Sequence, residues 1–536
     1  MRPVRFCTVC WITGIRNDDK ENRQRGRTMK KDIKEQLIQL LGTLQEAHQE
    51  IQGGLEKKEY GTVQNLLADC QESAVFIGNT IEQFERNQEE IIGILEEYCE
   101  RLFGISIALK DSELFNVEKT RAELDQYIKA ICERVRNGIK VLKAVFFPYK
   151  ASMWTSLESI WRAAQRDPEC DAKVVVIPYY TLDSEGNKKD LVYEADLFPK
   201  DVPIVHYSEY LIEQEWPDMV FIHNPYDGGN TVTRVPERYY SYCLKLYTKL
   251  LVYSPYFLMG HYTPDAGDFL CLTNGAAIAD KMVVQSEQVG RICMKHHVPE
   301  EKLVTLGSPK VDAVVEGMRK PKVYPDGWGQ KLRGRKVILL NTHLLYFVIG
   351  YDWHREHPDA VDYSQWHHEQ VFQYTLDREG CALIWRPHPL LKEMLRSRNL
   401  YSVLGFVEEW EQRIMESENG IMDAAGDYNI AFRLSDALIT SRSTLVSDYM
   451  ISGKPVFLYE RAWDEESYKN SPVNYSHNYY IEKDGKRMEI PDFIQMVLDG
   501  EDPLYAERLK DVHSAFGNLD GTIGRNVYRR LKKSLV

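Results

Sequence analysis

Ser435-Asp-Ala-Leu-Ile-Thr-Ser-Arg-Ser-Thr-Leu-Val-Ser-Asp-Tyr-Met-Ile-Ser-Gly-Lys-Pro-Val-Phe-Leu-Tyr459 reads as a short apolar strand, a hydroxyl-rich turn, a helix, a Gly-Lys-Pro stop and a second apolar strand. Two strands joined through a helix pair in parallel, so this stretch places the chain among α/β proteins with doubly wound sheets. Ser441, Ser443 and Thr444 fall where the helix begins, with Arg442 between them, and the unpaired amides of a first helical turn lie at the same point. That set suits a phosphate. A plain N-cap by Ser443 accounts for the same residues without a ligand.

The same pattern extends in both directions. Apolar runs at 336–340 and 382–385 precede the quoted unit, and the run at 455–459 closes it. An earlier series occupies 144–147, 173–177, 219–222, 250–253 and 282–284, with helix-like stretches between the runs. Over 321–334 the pattern lapses into Pro, Gly and basic residues, which reads as a linker. The expected architecture is two Rossmann-like domains, 143–320 and 335–536, facing a cleft at the carboxyl ends of both sheets.

Residues 29–142 follow a helical period instead. Ile33, Leu37, Leu41, Leu44, Ile51 and Leu55 form one stripe, Gly53-Gly54 interrupts it, and further stripes run from Val63 to Leu102 and from Leu124 to Ile139. Three or four amphipathic helices follow, able to close as an antiparallel bundle or to pair with a second copy as a coiled coil. Residues 1–28 hold seven basic against three acidic side chains and no long apolar core. They make a poor signal peptide, and Met29-Lys30-Lys31 opening a helical pattern marks them as a non-native or disordered leader.

The whole chain of 536 residues carries 67 basic and 80 acidic side chains, a net charge of −13, and −17 once the leader is set aside. That balance argues against nucleic acid as a partner. It also means that any contact with an anionic membrane surface needs a local basic face, expected near residues 140–150. No run of 18 apolar residues occurs, so a transmembrane helix is not expected. Cys7-x-x-Cys10 has no second pair at zinc spacing, and the other eight cysteines are scattered singly. Trp353-His354-x-x-His357 with His367-His368 fits no zinc pattern and reads as a solvated loop, and His296-His297 reads as a helix C-terminus. With no Gly-x-Gly-x-x-Gly and no Walker sequence, the expected cofactor and metal content is none.

Leu383-Ile-Trp-Arg-Pro-His-Pro-Leu390 is the second informative stretch. A strand runs into a loop that two prolines stiffen, delivering Arg386 and His388 at the sheet's carboxyl edge. Arg386 suits a bidentate phosphate contact, and His388 can give a proton or hydrogen bond to a departing phosphate. Together with the turn at Ser441–Thr444, Asp448-Tyr449 and Gly453-Lys454-Pro455, this loop resembles the C-terminal half of CDP-glycerol glycerophosphotransferases, which prime or polymerise teichoic acids. Leu306-Gly-Ser-Pro-Lys-Val-Asp312 resembles the family's Gly-x-Pro-x-x-Asp at the domain junction, and Asp520-Gly521-Thr522 its Asp-Gly segment before the last helix.

The resemblance implies a GT-B fold with the donor held mainly by the C-terminal domain, through Arg386, Ser441, Arg442, Ser443, Thr444 and Asp448. It implies transfer of glycerol phosphate from CDP-glycerol, or a related CDP-alditol, to a hydroxyl of a lipid- or glycan-linked acceptor, with CMP released. The work would be done in the cytoplasm at the inner face of the membrane. The family's base lies in Trp-His-Gly, which this sequence lacks. His261, in Met259-Gly-His, and His223, in Phe221-Ile-His-Asn, are the two candidates, each following a strand. Asn224, Asp227 and Lys150 are candidate acceptor contacts. A nucleotide-sugar transferase or epimerase of the same fold, and an inactive scaffold whose N-terminal helices assemble partners or a homo-oligomer, are the alternatives.

Overall fold

The computed structural model describes residues 31–84, 88–109, 117–183, 185–260, 262, 264–343, 363–425, 428–441, 443–461, 471–483 and 486–535. The leader, with Cys7 and Cys10, lies outside them, as do His354 and His357. Four helices come first: α1 (Lys31–Lys57), α2 (Tyr60–Phe84), α3 (Glu89–Ala108) and α4 (Val117–Gly138). They pack as an antiparallel bundle in which α1 touches α2 and α4, and α3 touches α2 and α4. The apolar stripes are spent inside it: Leu41, Ile77, Ile105, Leu124 and Ile131 are fully buried in a core of its own. Gly53-Gly54 does not break α1, which ends instead at Lys58 in a left-handed turn. A Cβ on Gly54 would strike Val63, so this glycine serves the close approach of α2 rather than a helix stop.

Two seven-stranded sheets follow. The first contains β1 (Leu142–Phe147), β2 (Cys170–Val176), β5 (Ile204–His206), β6 (Met219–Ile222), β8 (Leu250–Tyr253), β9 (Lys281–Val283) and β10 (Leu303–Val304). A small antiparallel sheet of β3 (Tyr179–Leu182), β4 (Lys188–Val192) and β7 (Thr233–Arg234) flanks it. The second contains β11 (Lys336–Thr342), β12 (Cys381–Pro387), β13 (Gly420–Met422), β14 (Ala437–Thr440), β15 (Val456–Arg461), β16 (Tyr479–Lys483) and β17 (Lys486–Arg487). Strand orders are β10-β9-β8-β6-β1-β2-β5 and β13-β12-β11-β14-β15-β16-β17, all parallel except the last pair. Counted within each sheet, both have the order 3-2-1-4-5-6 of dinucleotide-binding folds, so the crevice between the first and fourth strands is where ligands bind. That point is β1/β6 in one sheet and β11/β14 in the other. Helices cover both faces, which is why β6 and β14 are buried throughout and read as unbroken apolar runs.

The helices that shape the site are α5 (Glu158–Gln165), α6 (Pro264–Cys271), α7 (Glu287–Lys295), α8 (Pro309–Arg319), α9 (Tyr363–Thr375), α10 (Asn429–Leu434), α11 (Thr444–Met450) and α12 (Ile523–Lys533). The last helix returns to the first sheet's layer. There Tyr528 and Lys532 bind the Asp167 carboxylate, and Asp312 on α8 accepts the amides of Ile523 and Gly524. The expected solvated histidine loop is corrected in part: His367 and His368 sit buried on α9. The His368 ring stacks on Trp410 at 5.1 Å and its Nε2 lies 2.7 Å from the Thr342 hydroxyl. The 321–334 stretch also holds a short helix, Trp328–Leu332.

Candidate active site

The site is built at the carboxyl end of the second sheet. Register pairs Asn341 of β11 with Arg386 of β12 and with Thr440 of β14, so the strands end in one row. Asn341 pins that row: its Nδ2 donates to the Arg386 carbonyl at 2.9 Å, and its Oδ1 accepts from the Thr440 hydroxyl at 3.2 Å. His343 follows β11, His388 follows β12 and Ser441 follows β14, and the three loops therefore converge on the β11/β14 crevice.

His388 is half-buried and held by its own loop. Its backbone N–H donates to the Thr342 carbonyl at 2.9 Å, and its Nδ1 accepts from the Leu390 N–H at 3.1 Å. A ring whose Nδ1 is an acceptor carries its proton on Nε2. Burial first, and the neighbouring charge of His343 second, hold the His388 imidazole below the usual histidine value. His343, which sequence reasoning passed over, packs edge to face on His388 at 5.8 Å, and burial lowers its value too. His388 is thus a neutral donor through Nε2–H.

Arg386 does not match its expected role. Its Nη1 donates to the buried Asp423 carboxylate at 2.7 Å and its Nη2 to the Ala425 carbonyl at 2.6 Å. The guanidinium fork is spent on tying β12 to the segment after β13, which leaves it a strut rather than a phosphate clamp. Ser441 is buried in the turn. Ser443 is the N-cap of α11, yet its hydroxyl caps nothing and has no partner among the described residues. A buried hydroxyl left unpaired costs free energy that a ligand acceptor would recover. Arg442 and the Thr444 side chain lie outside the described residues.

Asp448, expected at the donor, is instead nearly enclosed. Its Oδ2 accepts from Lys310 of α8 at 2.7 Å and from the Tyr428 hydroxyl at 2.9 Å. Neither partner was singled out in the sequence. Lys454 of Gly-Lys-Pro is also structural: its ammonium donates to the Phe432 and Ser435 carbonyls at the end of α10, and burial lowers its value to about 8. The Gly453 carbonyl is held in turn by the fully buried Arg508.

Across the cleft, His223 ends β6 at the β1/β6 crevice, as its position in the sequence implies. Its burial is complete, however. Nε2 accepts from the Tyr149 N–H at 3.2 Å, and Nδ1 faces the Met153 carbonyl and the Ser156 hydroxyl, both at 3.2 Å. Burial pushes its value down to about 3, and with both nitrogens occupied it cannot reach an acceptor hydroxyl. Asp227 is likewise turned inward, accepting from the Ser241 amide and hydroxyl at 2.8 and 2.6 Å. Asn224 is half-buried and accepts from the Tyr226 N–H. Lys150 lies over the Tyr179 and Tyr149 rings. Lys140 and Lys143 are engaged by the Cys170 carbonyl and Glu215, so the basic face expected at 140–150 is not there.

His261 lies outside the described residues. Its neighbours bridge the two sheets: a Cβ on Gly260 would strike the Ser447 and Tyr475 hydroxyls, the Gly260 carbonyl accepts from Val473, and the Tyr262 N–H donates to Ser471. The Tyr262 hydroxyl meets His296 Nε2 at 3.2 Å, and His296 Nδ1 meets Asp268 at 2.8 Å, so His296 does more than end α7.

The sequence profile of the CDP-glycerol:poly(glycerophosphate) glycerophosphotransferase family matches residues 272–533. Over these residues, just under half of the chain, the protein is similar to that family. The match supports a transferase of the CDP-glycerol glycerophosphotransferase type and includes every C-terminal loop described above. No curated protein sequence matches the chain. Among solved structures, the wall teichoic acid polymerase TagF, as a variant soaked with CDPG, is similar at 13% identity and a TM-score of 0.44, covering 84% of this chain and 98% of its own. The UDP-GlcNAc 2-epimerase of Neisseria meningitidis bound to UDP-GlcNAc is similar at 10% and 0.45, covering 73% and 100%. The S. aureus MnaA–UDP structure is similar at 12% and 0.45, covering 74% and 97%.

Proposed function

We propose that the chain transfers glycerol phosphate from CDP-glycerol, or a related CDP-alditol, to a hydroxyl of a lipid- or glycan-linked acceptor in the synthesis of a cell-surface polymer. The acceptor oxygen forms a bond to the phosphorus that bears glycerol. The bond from that phosphorus to the CMP oxygen breaks, and the acceptor's proton passes to a base. What carries the reading is the family match over 272–533, whose loops meet at the β11/β14 crevice. In this scheme His388 donates its Nε2–H to the departing CMP phosphate, and Ser443 and Ser441 donate to oxygens of the transferring group. His261 keeps the role of base, since His223 is enclosed.

The same reading sets the enzyme at the inner face of the cell membrane, where a lipid-linked acceptor would be presented. No described helix is long and apolar enough to cross a membrane, so such contact would be made from the surface. Calorimetric titration with CDP-glycerol, CDP-ribitol and UDP-sugars tests the donor. Binding of a CDP-alditol with UDP-sugars silent is the expected result, and preference for a UDP-sugar overturns it.

A further inference from the structure

The loop after β8 reaches across to the second domain and is fastened at several successive residues. The Met259 N–H donates to Gln285 Oε1 at 2.8 Å, and Gln285 Nε2 donates back to the Met259 carbonyl at 3.2 Å and to the Ala515 carbonyl at 3.4 Å. The Gly260 carbonyl accepts from the Val473 N–H at 3.2 Å, and Ser471 Oγ accepts from the Tyr262 N–H at 3.1 Å. Ser471 also ties α7 into the joint, its carbonyl accepting from Gln288 Nε2 at 2.8 Å. The Tyr262 side chain runs back onto the first domain. With the Asp268 carboxylate taking the His296 Nδ1 proton, the neutral ring accepts the Tyr262 O–H at Nε2.

The closest approach is at Gly260. A Cβ built there would overlap both the Tyr475 hydroxyl and Ser447 Oγ, and the next nearest atom, Tyr475 Cζ, would lie 3.3 Å away. Those two hydroxyls are hydrogen-bonded to each other at 2.7 Å, and both residues are buried. Held by each other and by the packing around them, they cannot swing aside as a surface side chain would. Ser447 stands one turn along α11 from Ser443, whose hydroxyl has no partner among the described residues. The next residue, Asp448, takes Lys310 of α8. The first domain therefore grips α11 at two successive residues, beside the hydroxyl assigned to the donor.

We propose that Gly260, Ser447 and Tyr475 are positioning residues. The paired hydroxyls are the stop on which the first domain's loop rests, and glycine lets it rest close enough to set the gap between the acceptor side of the cleft and Ser443. In-line displacement at phosphorus needs the two half-sites held to within about 0.5 Å. The inference rests on the transferase reading for the reaction the joint serves, whereas the joint itself does not depend on that reading.

The test compares full-length wild type, Gly260→Ala and the triple variant Gly260→Ala/Ser447→Ala/Tyr475→Phe. CMP release gives kcat and KM for CDP-glycerol, and hydrogen exchange read by mass spectrometry follows peptides covering residues 254–262 and 471–480. Relieving the overlap in Gly260→Ala moves the loop off α11 by on the order of 1 Å. A displacement of that size is expected to lower kcat about 100-fold, with KM within about twofold of wild type and faster exchange in both peptides. The triple variant deletes both obstructing oxygens, leaving Tyr475 Cζ at 3.3 Å as the nearest atom. It is expected to recover at least about tenfold of the lost kcat, together with the slow exchange, because both partners of the hydroxyl bond leave together. Wild-type kcat in Gly260→Ala overturns the proposal, as does a loss that the triple variant fails to recover. A rise in KM with kcat unchanged also overturns it, by making the joint a donor-binding element. Should Gly260→Ala melt below the assay temperature, the triple variant is still expected to fold and turn over, and its failure overturns the proposal. Wild type silent with every donor removes the transferase reading alone. Exchange then decides the joint: faster in Gly260→Ala and restored in the triple variant upholds it, and unchanged exchange overturns it.

Discussion

Lowering the pH is expected to loosen the first sheet through one residue, His223. Its imidazole is neutral in the folded chain, with its value pushed from 6.5 to about 3, whereas the unfolded chain binds a proton near 6.5. Between those values the unfolded state holds more protons, so stability falls as the pH is lowered, by up to about 1.4 kcal/mol per pH unit. Integrated from pH 7 to pH 4, this single group removes about 3 kcal/mol. His223→Gln keeps a donor and an acceptor but does not titrate, so the difference between the two proteins isolates the histidine. Hydrogen exchange read by mass spectrometry on peptides covering Leu142–Phe147 and Met219–Ile222 gives local opening free energies for both at pH 7, 5.5 and 4. The gap between variant and wild type is expected to narrow by about 3 kcal/mol as the pH falls, the wild type losing more. A gap constant to within about 0.5 kcal/mol would mean that His223 protonates inside the fold, and would return it to the list of possible bases.

Ser443→Ala is expected to lower kcat/KM for CDP-glycerol roughly 100-fold while leaving the melting temperature unchanged or higher, because the lost hydroxyl has no partner in the described protein. Lys310→Met strands the Asp448 carboxylate, and since the pair is 12% and 4% exposed the cost is about 3–5 kcal/mol, readable in denaturant melts. His388→Ala is expected to abolish CMP release without unfolding the chain, and His388→Gln to restore part of it by returning an N–H donor. With His388 below the usual histidine value, the wild-type rate is expected to stay level from pH 8 to 6.5 and to fall only beneath that, as the Nδ1 acceptor is lost.

The parallel sheets were legible because their strands are buried on both faces and therefore read as continuous apolar runs; 219–222, 250–253 and 437–440 coincide with β6, β8 and β14. Short strands with mixed faces, such as Lys188–Val192, carry no such signal. At the site, loop positions were readable but the use of each side chain was not. Arg386 looks like a phosphate ligand until Asp423, 37 residues further along the chain, is seen to hold it. Asp448 meets Lys310 from 138 positions away, and His223 is closed in by Tyr149 and Met153. Such pairings depend on where separate loops meet in space, which periodicity cannot report. His343 offered a usable signal all the same, a histidine directly after an apolar strand of the same sheet as Arg386.

The central claim is that the crevice at β11/β14 moves an alditol phosphate out of a CDP donor. Mass spectrometry of products after incubation with CDP-glycerol and a panel of lipid- and glycan-linked acceptors tests it most directly. The expected result is stoichiometric CMP together with an acceptor heavier by one or more glycerol phosphate units, both absent in His388→Ala. An acceptor of unchanged mass across the panel, or a sugar transferred or epimerised from a UDP donor instead, would contradict it.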